Sequence, residues 1–409
     1  MKPNIKDLSP QEFEGHLARL NQPAYRARQI WQWLYQKQAV SVSEMTNLPA
    51  SLRAQLDHDF SISRLSTLRR SASRDGAVKF LFGLNDDNSI ESVLIPEAKR
   101  LTLCISTQAG CGLGCAFCAT ALLGLKRNLR ASEIVDQVLE ASRTLAPHPS
   151  FSLEGRGQEE SARHVLPSMV VPSPSGRGKG GGETAEGSGE ERGMSYVAGE
   201  PRITHVVLMG MGEPLANYAE TLKALEVMTD SRCGLGISPR RITLSTVGLV
   251  PQIRKLMEET RVNLAISLHA PTNELRGHLM PVNRKYSLEQ LMDCCRSLPI
   301  PRRKRITFEY VLLRGVNDSV VQAEQLCELL RGIRCKVNVI PFNPHAGNSF
   351  QRPSDFEIER FQQVLQSHGL QVNVRRARGE DIQAACGQLQ GEEFLHSGRS
   401  RPLCSAEAH

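Results

Sequence analysis

The chain has 409 residues, 40% of them apolar and 23% charged, with a formal net charge of +7; these values lie near those of ordinary soluble proteins and argue against a fibrous or membrane-embedded class. No run approaches the roughly 18 apolar residues of a spanning helix, and the opening MKPNIKDLSPQEF lacks the apolar core of a secretory signal, so a cytoplasmic protein with no membrane association is expected. Eleven cysteines at irregular spacing do not resemble a secreted disulfide framework, and the modest positive charge favours a polyanionic partner without establishing one.

Residues 1–60 carry helical periodicity, most clearly in AYRARQIWQWLYQK, where Ile30, Trp31, Trp33 and Leu34 share an apolar face. A small helical accessory domain is expected, with its tryptophans in the core rather than stacked on bases. Residues 61–100 hold two β-rich runs, AVKFLFGL and NSIESVLIP, around the turn NDD, which predicts a β-hairpin linker.

From 101 to 389 the runs LTLCIS, ITHVVLMG, RITLSTVG, VNLAISLH, RITFEYVLL and KVNVIPF alternate with amphipathic helical segments. Six β/α units of this kind predict an α/β domain built as a partial (β/α)6 barrel, whose ligands bind beyond the carboxyl ends of the strands. Residues 147–199 break the alternation. The window 151–200 contains 11 of the chain's 32 glycines, in stretches such as SPSGRGKGGGE, and 147–199 is read as a disordered low-complexity insertion. GRGKGGGE lacks the spacing and the strand-to-helix setting of a phosphate loop. Residues 390–409 are expected to form a flexible tail.

The segment QAGCGLGCAFCAT follows the first barrel run and spaces Cys111, Cys115 and Cys118 as C-x3-C-x2-C. Three thiolates on one loop suit three irons of a 4Fe-4S cluster and leave the fourth iron open. Zinc is the main alternative, but structural zinc takes four ligands. The nearest further cysteine, Cys104, lies on the preceding run. After the second run, GMGEPLAN offers Gly210 and Gly212 for close backbone approach and Glu213 as a carboxylate for an ammonium group. Ser245 in LSTVG, Ser267, Leu268 and His269 in ISLHAP, and Asn343 in IPFNPH end three further runs on the same expected face.

The cysteine triplet, with Phe117 at its aromatic position, resembles the signature of radical S-adenosylmethionine (SAM) enzymes, and GMGE resembles their SAM amino-group motif. Beyond it, YRARQIWQWLY, MTNLP, IESVLIP, TLCISTQAGCGLGCAFCAT, RNLRASEIVDQV, ITLSTVGLVP, AISLHAP, IPFNPH and VRRARGEDIQAACGQL resemble the RlmN and Cfr group of radical SAM RNA methyltransferases, over nearly everything outside the insertion.

That resemblance implies one 4Fe-4S cluster on Cys111, Cys115 and Cys118, and SAM held by Gly212, Glu213, Ser245, Ser267, Leu268, His269 and Asn343. It implies that Cys386 carries the methyl group, that Cys104 resolves the adduct through a transient disulfide, and that Glu91 accepts a proton. Two SAM molecules are consumed per methylation of carbon 2 of an adenine. The implied partners are 23S rRNA, tRNA and a reducing electron donor such as flavodoxin or ferredoxin; a monomer is the default expectation. Without the resemblance, Glu91 reads as an outward strand residue and Cys104 and Cys386 as small core residues.

The basic clusters PRRKR at 301–305 and VRRARG at 374–379 are candidate RNA contacts. Arg375, Arg376 and Arg378 are the better set because they precede Cys386. The target base must lie outside a duplex stack to be reached. The alternatives are a Cfr-type adenine-C8 methyltransferase, a nonenzymatic metal-containing RNA-binding protein, and a glycyl-radical activase, which shares the triplet but needs neither Cys386 nor Cys104.

Overall fold

The computed structural model describes residues 2–145 and 202–391. The insertion assigned to 147–199 and the tail beyond 391 lie outside the described residues.

The N-terminal region folds as helices α1 (Pro10–Arg19), α2 (Tyr25–Trp31) and α3 (Ala50–Asp59). Ser9 starts α1 as half of a reciprocal cap: its backbone N–H donates to Glu12 Oε2 at 2.7 Å, and its hydroxyl accepts from the Glu12 N–H at 3.2 Å. Trp31 is buried edge-on to Tyr35. Trp33 sits at the rim, donating to Asn47 Oδ1 at 2.6 Å beneath the Lys37 ammonium. Both rings are engaged within the domain.

Twelve strands follow: β1 (Ser66–Ala72), β2 (Val78–Gly83), β3 (Ser89–Glu97), β4 (Arg100–Cys104), β5 (Gln108–Gly110), β6 (Leu125–Asn128), β7 (His205–Leu208), β8 (Ile242–Thr246), β9 (Asn263–Ser267), β10 (Ile306–Leu312), β11 (Cys335–Pro341) and β12 (Gln371–Val374). Ten of them form one sheet in the order β1-β2-β3-β4-β7-β8-β9-β10-β11-β12, while β5 and β6 pair separately. From β4 to β12 every pairing in the large sheet is parallel. The six runs read from the sequence are therefore all barrel strands. β12 adds a seventh parallel strand that its short QVNV run did not announce. Strands β1 to β3 pair antiparallel and join β4, so residues 61–100 contain the expected hairpin and extend the barrel sheet.

Parallel strands need helical crossovers. These are α4 (Ala119–Leu122), α5 (Ala131–Arg143), α6 (Tyr218–Thr229), α7 (Val250–Glu259), α8 (Asn273–Leu279), α9 (Leu288–Ser297), α10 (Val320–Leu329) and α11 (Asp355–Ser367). Reciprocal Ser-x-x-Gln/Glu caps start α9, α10 and α11 at Ser287, Ser319 and Ser354. All seven residues of β10 are buried, as expected of a strand covered on both faces. The helical domain docks on α5 through a buried ion pair, Lys6 Nζ to Asp136 Oδ1 at 2.6 Å, and through Arg64 to Glu140 at 2.9 Å. Among the described residues no helix is long and apolar enough to cross a membrane.

Candidate active site inside the partial barrel

A cavity of about 770 Å³ runs along the inner face of the parallel sheet. Its wall includes Cys104, Phe117, Cys118, Gly212, Glu213, Ser245, Ser267, His269, Asn343 and Cys386. Residues from four strand ends, the cysteine loop and the C-terminal segment thus converge on one space, because parallel strands all present their carboxyl ends on one side.

Gly110 and Gly212 shape the rim. Gly110 has φ +73°, and a Cβ there would lie 1.9 Å from the Gly124 carbonyl oxygen, so only glycine lets β5 turn into the cysteine loop. Gly212, at φ +94°, packs against Gln108, with 2.4 Å from an added Cβ to that side chain. Gln108 Oε1 in turn accepts from the Glu213 N–H at 2.8 Å.

Cys111, Cys115 and Cys118 are half-buried and unbonded. Burial pushes the Cys111 thiol up to about 11 and the Cys115 thiol further, and neighbouring thiols and the Glu213 carboxylate add to both. Thiols in this state deprotonate when they ligate a metal. Between 111 and 118 the loop supplies three thiols and no His, Asp or Glu. Three thiolates suit a cluster whose separate irons each take one, whereas structural zinc takes four ligands.

Glu213 is buried, with Oε2 accepting from the Val247 N–H at 2.9 Å and Oε1 from the Leu215 N–H at 3.0 Å. Burial pushes its carboxyl up to about 7; a cation placed beside it would lower it again. His269 adopts a left-handed φ of +58°, a strain that the surroundings over-determine. Its Nδ1 accepts from the Val311 N–H at 3.0 Å, its carbonyl accepts from Asn317 Nδ2 at 2.8 Å, and its ring packs edge-on to Phe117. Burial holds its pKa down near 3, so the ring is neutral, with the proton on Nε2.

Leu268 does not face the cavity. It is fully buried and acts through its backbone, donating to the Glu309 carbonyl at 3.0 Å. Arg276, absent from the sequence-based candidates, binds the strand ends together. Its guanidinium donates to the carbonyls of Val247 at 2.6 Å, Leu268 at 3.2 Å and Ser267 at 3.2 Å, and to Asn283 Oδ1 at 3.0 Å.

Residues 375–391 continue from β12 as a strap. Asn343 Nδ2 donates to the Cys386 carbonyl at 3.1 Å, Ala119 N–H to the Gly387 carbonyl at 2.8 Å, and Thr120 Oγ1 to the Leu389 carbonyl at 2.6 Å. These bonds hold the exposed Cys386 on the same wall as Cys104. Burial pushes the Cys104 thiol up to about 12; Cys386, although its surface is open to solvent, is raised too by the protein enclosing the cavity, and the Arg375 guanidinium opposes the rise at each.

Arg375, a candidate RNA contact, lines the cavity 3.8 Å from Glu309, and Arg376 and Arg378 line it too. Glu91 is not part of the cavity wall. It is buried between β2 and the strap, paired with Lys79 at 2.9 Å and accepting from the Gln390 N–H at 2.8 Å. Glu309, which escaped the sequence reading, is a buried carboxylate in the wall, with Oε1 held by Asn338 at 2.9 Å. A charged residue inside the apolar run RITFEYVLL was the available signal.

The family model for the ribosomal RNA large subunit methyltransferase N-terminal domain matches residues 3–62, and that for the radical SAM superfamily matches residues 192–327. The chain is 45% identical over 388 residues to a protein of Syntrophobacter fumaroxidans named dual-specificity RNA methyltransferase RlmN, covering 95% of this chain and 98% of the relative. A protein of Geobacter sulfurreducens with the same name is 43% identical, covering 95% and 92%. Among solved structures, a radical SAM methyltransferase from Sphaerobacter thermophilus superposes with a TM-score of 0.77 at 40% identity, covering 95% of this chain and all of that one.

Proposed function

Because the chain belongs to the RlmN family of dual-specificity RNA methyltransferases, we propose that it methylates carbon 2 of adenine in 23S rRNA and in tRNA. The observation that carries this reading is the placement of two free thiols, Cys104 and Cys386, on the wall of the cavity that also holds the SAM-motif residues. A SAM enzyme that moved its methyl group directly to a nucleophile would need neither thiol. The aromatic carbon of adenine is too weak a nucleophile for such direct transfer.

In this reading Cys111, Cys115 and Cys118 hold one 4Fe-4S cluster, which when bound supplies the electron that splits SAM into methionine and a 5'-deoxyadenosyl radical. Glu213 takes the SAM ammonium, and Ser245, Ser267, His269 and Asn343 offer polar contacts around the rest of the molecule. Cys386 accepts a methyl group from a first SAM by displacement at the methyl carbon. A second SAM, the source of the radical, leads to hydrogen loss from that methyl group, so two are used per methylation. The carbon so activated would join adenine C2, and the adduct would lose the C2 proton and one electron, the latter to the one-electron acceptor that a bound cluster would supply. The Cys104 thiolate then attacks the Cys386 sulfur, forming the disulfide and breaking the sulfur–carbon bond; the released carbon takes up a proton to become the methyl group, and an external two-electron reductant restores both thiols. His269, neutral with Nε2 protonated, offers a donor without a charge.

The cavity of about 770 Å³ lies in the upper part of the roughly 300–1,000 Å³ range of ligand sites, room for SAM and one extruded base together. Arg376 and Arg378, with Arg302 and Arg303 of the 301–305 cluster, are the RNA-phosphate candidates. We place the reaction in the cytoplasm, with a monomeric enzyme and flavodoxin or ferredoxin as electron donor.

The test is anaerobic reaction of the reconstituted protein with SAM, reductant and 23S rRNA or tRNA, followed by mass spectrometry of the nucleosides. The expected product is 2-methyladenosine from both RNAs. 8-Methyladenosine alone, or iron- and sulfide-loaded protein that makes no 5'-deoxyadenosine, overturns the reading.

A further inference from the structure

Leu122, Leu123 and Leu125 are 59%, 38% and 49% exposed. They form the turn from α4 into β6, shortly after Cys118. Among the described residues eight large apolar side chains are exposed, and three of the eight fall in this one turn while the others are scattered. Single exposed apolar residues are ordinary, whereas a contiguous group marks a contact surface.

The leucine turn is fastened to the cysteine loop itself. The Gly124 carbonyl accepts from the Cys111 N–H at 2.9 Å, and a Cβ on Gly112 would lie 3.3 Å from Leu125 Cβ. Leu122 leans on the segment after β11, 3.2 Å from the position of a Cβ on Gly347. That segment holds the cysteine loop through Asn348 Nδ2, which donates to the Ala116 carbonyl at 2.7 Å. Beyond the loop, Gly114 lies against Pro281, with 3.7 Å from an added Cβ to Cγ. Gly112, Gly114 and Ala116 are exposed, so the outer positions of the loop carry no bulky side chain to keep a partner away from the thiols.

Three segments frame this face, 111–130, 275–288 and 342–353, and none contains Asp or Glu. Lys126, Arg284 and Lys285 are exposed on them. Asp86 and Glu133, which approach β6, are both paired with Arg127. An apolar centre with a charged rim is the composition of a protein–protein interface. RNA is recognised largely through aromatic rings and arginine planes, and the one aromatic residue of 111–130, Phe117, is buried. A second copy of the chain would set the same cations against each other, so the complementary partner is acidic. None of the three leucines lines the cavity, where the RNA candidates Arg376 and Arg378 lie.

Electron transfer weakens steeply with distance, so a donor must dock close to the group it reduces. We infer that the leucine turn and the outer side of the cysteine loop form the docking surface for a small acidic one-electron redox protein. The inference rests on the reading of Cys111, Cys115 and Cys118 as cluster ligands. One electron passes at this face: the donor is oxidised by one and the bound cluster reduced by one, with no group transferred. The electron and the target base then approach from different parts of the surface.

The experiment uses anaerobically reconstituted full-length protein, with an acidic flavodoxin and an acidic ferredoxin as probes. Probe binding is read by biolayer interferometry. Formation of 5'-deoxyadenosine is read with each reduced probe and, separately, with dithionite, which needs no docking surface. Leu122→Ser combined with Leu125→Ser should weaken probe binding by about tenfold or more and lower the probe-driven yield, while dithionite-driven yield and iron content stay within about twofold of the parent. Lys126→Glu combined with Lys285→Glu should weaken binding and flatten its dependence on salt.

If the double leucine variant loses iron, Leu123→Gln tests the same face without touching the contacts to Gly112 and Gly347, and should weaken probe binding with iron retained. Probe binding equal to the parent in every variant overturns the inference, as does a parent that binds neither probe. Leucine variants that lose affinity for 23S rRNA or tRNA and keep it for the probes overturn it in favour of an RNA contact. If dithionite yields no 5'-deoxyadenosine from the parent, the functional reading fails while the binding measurement still decides the surface.

Discussion

Asn343 Nδ2 donates to the carbonyl oxygen of Cys386 across 3.1 Å, joining the loop after β11 to the strap 43 residues later in the chain. The same side chain lines the cavity, so one amide both faces the proposed SAM site and fixes the backbone of the thiol that SAM would methylate.

Removing this bond should leave the fold intact and displace the thiol. A hydrogen bond of this kind contributes about 0.5–1.5 kcal/mol, so Asn343→Ala should slow Cys386 methylation by about 2- to 10-fold. Timed peptide mass spectrometry on the reconstituted enzyme checks this. An unchanged rate would remove the positioning role.

Cys104 and Cys386 should fail differently. Cys386→Ala should abolish RNA methylation while leaving iron content and the visible absorbance of the reconstituted protein unchanged, because Cys386 is not among the proposed ligands. Cys104→Ala should accumulate protein covalently joined to RNA, seen as a slower band in denaturing gels with labelled RNA. Normal turnover without an adduct would remove the role given to Cys104.

Glu213→Gln removes the charge for the SAM ammonium and turns one of the two acceptors of the Val247 and Leu215 N–H groups into a donor. Charge-assisted hydrogen bonds contribute about 1.5–3 kcal/mol, so SAM affinity should fall by roughly 10- to 100-fold, as read by equilibrium dialysis against the reconstituted protein. Affinity unchanged by the substitution would place the ammonium elsewhere.

The ion pair between Lys6 and Asp136 fixes the helical domain to the barrel. Burial pushes the Asp136 carboxyl up to about 6, with Lys6 pulling it down. A carboxyl raised above its unfolded value favours the fold when protonated. That contribution is complete below about pH 4 and is lost as pH rises through about 6. Lys6→Met strands the charge and should cost about 3–5 kcal/mol at pH 8, with a smaller loss at pH 5, where Asp136 takes up a proton. Urea unfolding at the two pH values checks both the size and the sign.

How much of the site was legible depended on how far apart its parts lie in the chain. Cys111, Cys115 and Cys118 fall within eight residues, and Gly212 and Glu213 are adjacent, so their chemistry is written in local spacing. The six main barrel strands were equally legible, because a strand buried on both faces reads as a continuous β-rich run, as β10 does. β12 was missed since its four residues, QVNV, bury chiefly one side chain, Val372.

Arg375 shows where local reading stops. In VRRARG it looks like its neighbours, yet its backbone N–H bonds the Val339 carbonyl at 2.8 Å, and that last contact along β11 directs its side chain to the cavity. Glu91 shows the same limit more sharply, since its partner Gln390 is 299 residues away. From the sequence alone it is one acidic residue in a strand.

The sequence by itself determined the alternating strands and helices, the thiol loop and the SAM-motif strand ends, because periodicity and short-range spacing set secondary structure and local ligand geometry. Only the tertiary structure decided that Arg375 turns inward, that Arg276 binds the strand ends together and that Lys79 and Glu91 grip the strap around Cys386. Arg276, Lys79 and Glu91 are buried charges that find distant backbone partners, whereas Arg375 is half-buried beside the Glu309 carboxylate. Closing the sheet into a curved barrel, rather than any local preference, brings those partners within hydrogen-bonding range.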